Sequence, residues 1–113
     1  MDIQHIETSD CTILNTEMLP NELRICFESI YDLEKKQYTS NICLSVFNWS
    51  FFEARLFIAN GLEPKKLAKH ELEFFEYCQK ISIEGNSLIL QGFSRESGYW
   101  LEYRFIDSDY CLN

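Results

Sequence analysis

Lys80-Ile81-Ser82-Ile83-Glu84-Gly85-Asn86-Ser87-Leu88-Ile89-Leu90-Gln91-Gly92-Phe93 is the stretch that decides the fold class. Ile81 and Ile83 alternate with polar residues before Gly85-Asn86, and the apolar run Leu88-Ile89-Leu90 follows it. A Gly-Asn pair between two such runs marks a β-hairpin, because glycine reaches the positive φ that a tight turn between twisted strands requires. Ser94-Arg95-Glu96-Ser97-Gly98 turns the chain again. Beyond it Tyr99, Leu101, Tyr103 and Phe105 alternate with Trp100, Glu102, Arg104 and Ile106, which makes a further strand leading to the polar tail Asp107-Ser108-Asp109-Tyr110.

Upstream, residues 22–33 place Leu23, Ile25, Phe27, Tyr31 and Leu33 on alternate positions, interrupted by Ser29, and read as a strand entered at Pro20-Asn21. Residues 34–41 are polar and form the loop back to a second strand, in which Ile42, Leu44 and Val46 alternate with Cys43, Ser45 and Phe47. Asn48 and Ser50, flanking Trp49, are either a tight turn or a bulge. Phe52, Ala54, Leu56 and Ile58 then alternate with Phe51, Glu53, Arg55 and Phe57, so a third strand ends at Asn60-Gly61 and the three together make a meander.

The segment from Glu63 to Gln79 fits two patterns. Pro64 suits a first helical position, and Leu67, Phe74, Phe75 and Cys78 recur at helical spacing, so a helix over 64–79 is the first choice. Glu71 would then sit in the middle of the apolar face, and Phe75, Tyr77, Ile81 and Ile83 also fit a strand. A helix running into a strand near Lys80 satisfies most of both. The sum is an α+β fold, mainly β: an antiparallel meander sheet of about six strands with one helix covering a face.

With 113 residues, 46% of them apolar, the chain has enough material for a single domain over 1–113 with its own core. No apolar run approaches a membrane span, and Met1-Asp2-Ile3-Gln4-His5-Ile6-Glu7 lacks the basic start and apolar stretch of a secretory signal, so a cytoplasmic chain is expected. The β-α-β rhythm of nucleotide folds is missing, and Gly61, Gly85, Gly92 and Gly98 form no phosphate-binding loop. Cys11, Cys26, Cys43, Cys78 and Cys111 contain no short ligand pair, so a zinc site is not expected. Nor is a disulfide framework, and most of these thiols read as reduced core or interface residues. His5, in an N-terminal stretch expected to be mobile, and His70, between Lys69 and Glu71, read as surface histidines, which leaves a Cys-His or Ser-His machine without a marked base. No cofactor and no enzymatic activity are expected.

The formal net charge is −8, which disfavours direct nucleic-acid binding. It is unevenly spread: residues 1–34 carry Arg24 alone against eight acids, residues 35–70 carry six cations against Glu53 and Glu63, and residues 71–113 carry three cations against eight acids. Glu71, Glu73 and Glu76 are the densest acidic patch, too irregular for a calcium loop or a di-iron site. With Leu101 and its partners turned inward, Trp100 shares the other strand face with Glu102 and Arg104, an aromatic-plus-charged mixture suited to a protein interface.

The run Gly92-Phe93-Ser94-Arg95-Glu96-Ser97-Gly98-Tyr99-Trp100-Leu101-Glu102-Tyr103-Arg104-Phe105, following Ile83 to Leu90, resembles the closing hairpin of small bacterial immunity proteins of polymorphic and contact-dependent toxin systems. Phe47-Asn48-Trp49-Ser50 with Glu53-Ala54-Arg55-Leu56 is compatible with it. The likeness covers about half the chain and includes no catalytic motif. It implies a non-enzymatic protein that binds a cognate toxin domain, a basic nuclease suiting an acidic inhibitor, and occludes its active or substrate-docking surface. The expected contacts are Glu71, Glu73, Glu76, Asp107 and Asp109 around a Trp100 anchor with Glu102 beside it, and open sheet edges also allow a homodimer. The alternative is a small-molecule or carbohydrate-binding β-domain without catalysis, with Trp49 or Trp100 as its platform.

Overall fold

The computed structural model describes residues 2–58 and 63–113. Among them ten strands run in order: β1 (Ile6–Glu7), β2 (Ile13–Leu19), β3 (Glu22–Asp32), β4 (Gln37–Phe47), β5 (Phe51–Phe57), β6 (Lys65–Lys66), β7 (Phe75–Glu84), β8 (Ser87–Ser94), β9 (Trp100–Ile106) and β10 (Asp109–Leu112). Two single 3-10 turns, Ile3–His5 and Lys69–Glu71, are the only helical pieces among the described residues. In the first sheet β3 pairs with β4 and β4 with β10, while β1 and β2 share the other edge of β3; the second has the order β6-β5-β9-β8-β7. Every pairing is antiparallel.

The alternation read from the sequence sets the inward faces. Leu23, Ile25, Phe27, Leu44 and Val46 of the first sheet and Leu56, Leu90, Leu101, Tyr103 and Phe105 of the second are buried in one common apolar core. In β3 the inward positions change from odd to even between Phe27 and Ile30, opposite Asn41, whose φ of 57° kinks β4. The N-terminal stretch is part of this structure: Ile3 is buried, and His5 Nδ1 lies 2.6 Å from Glu34. No helix of the described residues is long and apolar enough to cross a membrane.

Three expectations fail. The strands do not form one meander of six, because β5 leaves β4 and pairs with β9 in the second sheet. Asn48, at φ 58°, turns the chain across, and Asp107, at φ 54°, returns it between β9 and β10. Both are short polar residues that tolerate the left-handed region. Since β4 pairs with β10 and β5 with β9, the two crossings form one two-stranded ribbon folded at a corner. The third strand's expected end at Asn60-Gly61 lies outside the described residues.

The helix over 64–79 is also absent. Its place is taken by β6, the 3-10 turn and the first residues of β7. The register of β7 against β8 slips between Phe75 and Tyr77 and again between Cys78 and Lys80, so Glu76 and Gln79 are extra residues. Two bulges spaced three apart put Phe75, Cys78 and Ile81 on the core side, which imitates a helical period inside a strand. The cysteine reading is corrected too, since Cys26 and Cys43 are direct cross-strand partners with Cα atoms 4.0 Å apart and joined as a disulfide. Cys11, Cys78 and Cys111 are free thiols.

Candidate functional site

The face of the second sheet turned away from the core carries the most distinctive chemistry. Register places Phe57, Trp100, Phe93 and Tyr77 side by side across β5, β9, β8 and β7. Neighbouring strands lie ~4.8 Å apart, so the four make a continuous aromatic row. Phe93 packs edge-on against Trp100 with ring centroids 5.1 Å apart. Phe93 remains 42% and Tyr77 39% exposed. Tyr77 reaches this face because the first bulge of β7 shifts its phase.

Two charged rows lie beside the aromatic one. Arg55, Glu102, Gln91 and Lys80 form the first, and Glu53, Arg104, Ile89 and Ser82 the second. Glu53 is bound by Arg55 at 3.0 Å and Lys66 at 3.1 Å. Burial pushes the Glu53 carboxyl up, but hydrogen bonds from Lys66 and Arg55 outweigh it and hold the group below its usual range. Arg104 thereby loses its register partner, and its Nε is buried without an acceptor among the described residues. Such an orphaned buried donor costs free energy.

The seven residues expected to contact a partner do not gather in one place. Trp100 and Glu102 share this face, but Glu102 is buried and accepts a hydrogen bond from Gln91 Nε2 at 2.9 Å. Glu71 closes the 3-10 turn, accepting from the Ala68 amide at 3.2 Å and pairing with Lys65 at 3.0 Å. The Lys65 ammonium, and then that amide, hold its carboxyl below the usual range. Glu73 Oε1 accepts from Ser94 Oγ at 2.5 Å and Ser97 Oγ at 2.6 Å, while its carbonyl accepts from the Tyr103 hydroxyl. Glu76 is exposed on β7 and makes no ion pair among the described residues.

Asp107 and Asp109 sit at the other end of β9 from Trp100, about 20 Å away by strand rise. Asp107 accepts from Ser50 Oγ and Asn86 Nδ2, each at 3.2 Å, and Asp109 from Asn48 Nδ2 at 3.0 Å. They fasten the corner of the ribbon. The aromatic partners of Trp100 were missed because a face is legible only when strand phases are known, and the bulges of β7 hide the phase of Tyr77. His70 is exposed in the 3-10 turn. Among the described residues no three His, Cys, Asp or Glu side chains converge as a metal site. No protein family, curated protein or solved structure matches the chain.

Proposed function

We propose that the chain is a non-enzymatic protein-binding module of the immunity type, which neutralises a cognate toxin domain by covering its active or substrate-docking surface. The observation that carries this reading is the aromatic row Phe57, Trp100, Phe93 and Tyr77, in which Phe93 and Tyr77 are exposed and Phe57 and Trp100 half-buried, beside two charged rows. Apolar area left in water represents ~25 cal/mol per Å² that a partner recovers on docking. Trp, Tyr and Arg are also the residues that dominate binding energy at protein interfaces.

Charge enters at two ranges. The net −8 steers a basic partner, such as a nuclease, toward the chain from a distance. At contact the face offers both signs, through Arg55 and Lys80 beside Gln91 and Glu53. Glu76 is left as the one expected carboxylate without an internal ion pair or hydrogen bond among the described residues, so the anchor is aromatic rather than acidic. The Cys26–Cys43 disulfide lies on the sheet that does not carry this face.

The test uses the full chain as bait in its native host, wild type beside Trp100→Ala and Tyr77→Ala, followed by affinity measurements on the recovered partner domain. The expected result is a partner whose toxicity the wild type relieves and whose affinity falls at least about 30-fold with Trp100→Ala. Glu17→Gln, on the first sheet, should bind as the wild type does. A host without such a partner, or a partner held equally by Trp100→Ala, overturns the proposal.

A further inference from the structure

A cavity of about 290 Å³ opens where the two sheets meet the crossing segment before β7. Met18 of β2 contributes one wall, Trp49 of the corner and Phe52 of β5 another, and Leu67 and Leu72 a third. All five are only partly buried, packed against the core without being enclosed by it. Trp49 is held by Phe52, at a ring distance of 5.9 Å, and by Phe105, at 5.0 Å, so the indole wall is fixed before any ligand arrives. Lys69 is the one charged residue in the lining. Its neighbour Lys65 is neutralised by Glu71, whereas Lys69 makes no ion pair among the described residues.

We infer that this cavity is a binding site for a small hydrophobic carboxylate, whose apolar body lies against Trp49, Phe52 and Leu72 and whose anionic head meets Lys69. The apolar walls select the body, and the single unpaired ammonium selects the sign of the head. Ligand pockets usually hold ~300–1,000 Å³, so a space at the bottom of that range limits the occupant to about the size of a medium-chain fatty acid. The site shares no residue with the aromatic row on the outer face, and it stands whether or not a protein docks there.

Sodium decanoate is the probe, with 1-decanol as its uncharged counterpart, read by tryptophan emission in a Trp100→Phe background so that Trp49 alone reports. Decanoate should shift the emission saturably, and Lys69→Met should weaken it at least tenfold while leaving 1-decanol unchanged. Thermal unfolding of the Lys69→Met variant, unchanged without ligand, separates this from loss of fold. Emission that does not saturate with decanoate, or equal decanoate affinity in Lys69→Met and wild type, overturns the inference.

Discussion

Replacing Gly92 with alanine tests the feature that brings Tyr77 into the aromatic row. A Cβ at this position would lie 1.9 Å from the Tyr77 carbonyl oxygen, 2.9 Å from its carbonyl carbon and 3.0 Å from Cys78 Cα. All three atoms belong to backbone, so no rotamer change relieves the clash, and β7 must retreat from β8 by roughly 1.5 Å to restore ordinary contact. That movement breaks about two ladder hydrogen bonds at ~1 kcal/mol each, on top of ~1–3 kcal/mol for overpacking. The expected destabilisation is therefore about 3–5 kcal/mol, a large part of the ~5–15 kcal/mol that holds a domain folded. Gly98 provides the reference: its φ is +77° and a Cβ there would meet nothing within 4 Å, so Gly98→Ala should cost only the ~1–2 kcal/mol of a left-handed residue. Urea unfolding of both variants measures the difference at comparable m. A Gly92→Ala protein within ~1 kcal/mol of wild type, or more stable than Gly98→Ala, would refute the close approach of β7 and β8.

Two further outcomes follow from the thiols. Burial pushes the Cys78 thiol from 9.0 up to about 12. A raised folded value gives stability that is fully present below pH 9 and lost as pH climbs toward 12, at ~1.4 kcal/mol per pH unit for one proton. Stability measured across that window should fall less steeply in Cys78→Ala, and an identical slope would contradict the burial. In a native thiol titration without reductant, half-buried Cys111 should react first, Cys11 and Cys78 only on unfolding, and Cys26 and Cys43 only after reduction. Rapid native labelling of more than one thiol would argue against this arrangement.

Most strands were legible because their faces alternate cleanly. Glu22–Asp32, Phe51–Phe57, Ser87–Ser94 and Trp100–Ile106 all lie where period-two patterning places them. The Gly85-Asn86 turn was also legible, with Gly85 at φ 60°. The helix error arose where the pattern was real and its cause different, since two bulges produced a period of three inside β7. The choice of sheet was not legible. Nothing in Asn48-Trp49-Ser50 distinguishes a hairpin turn from a sheet-to-sheet corner until Asp107 and Asp109 are known to lie beside it. The Cys26–Cys43 pairing depends in the same way on the register of β3 against β4, which spacing alone does not determine.

The acidic residues gain a different role from their positions. Glu73 binds both serines of the turn between β8 and β9, and the Glu96 carboxylate accepts the Phe74 amide at 3.0 Å across the same junction. That turn carries Phe93 on one side and Trp100 on the other, so these carboxylates fix the relative placement of the two rings that pack edge-on in the row. A surface fixed before docking avoids the ordering cost of ~0.5–1.5 kcal/mol for each side chain immobilised on binding. Carboxylates already saturated by serine hydroxyls and backbone amides have little left to offer a cation on another protein. Their contribution to binding is then exerted through the rigidity of Phe93 and Trp100, while net charge acts only on the approach.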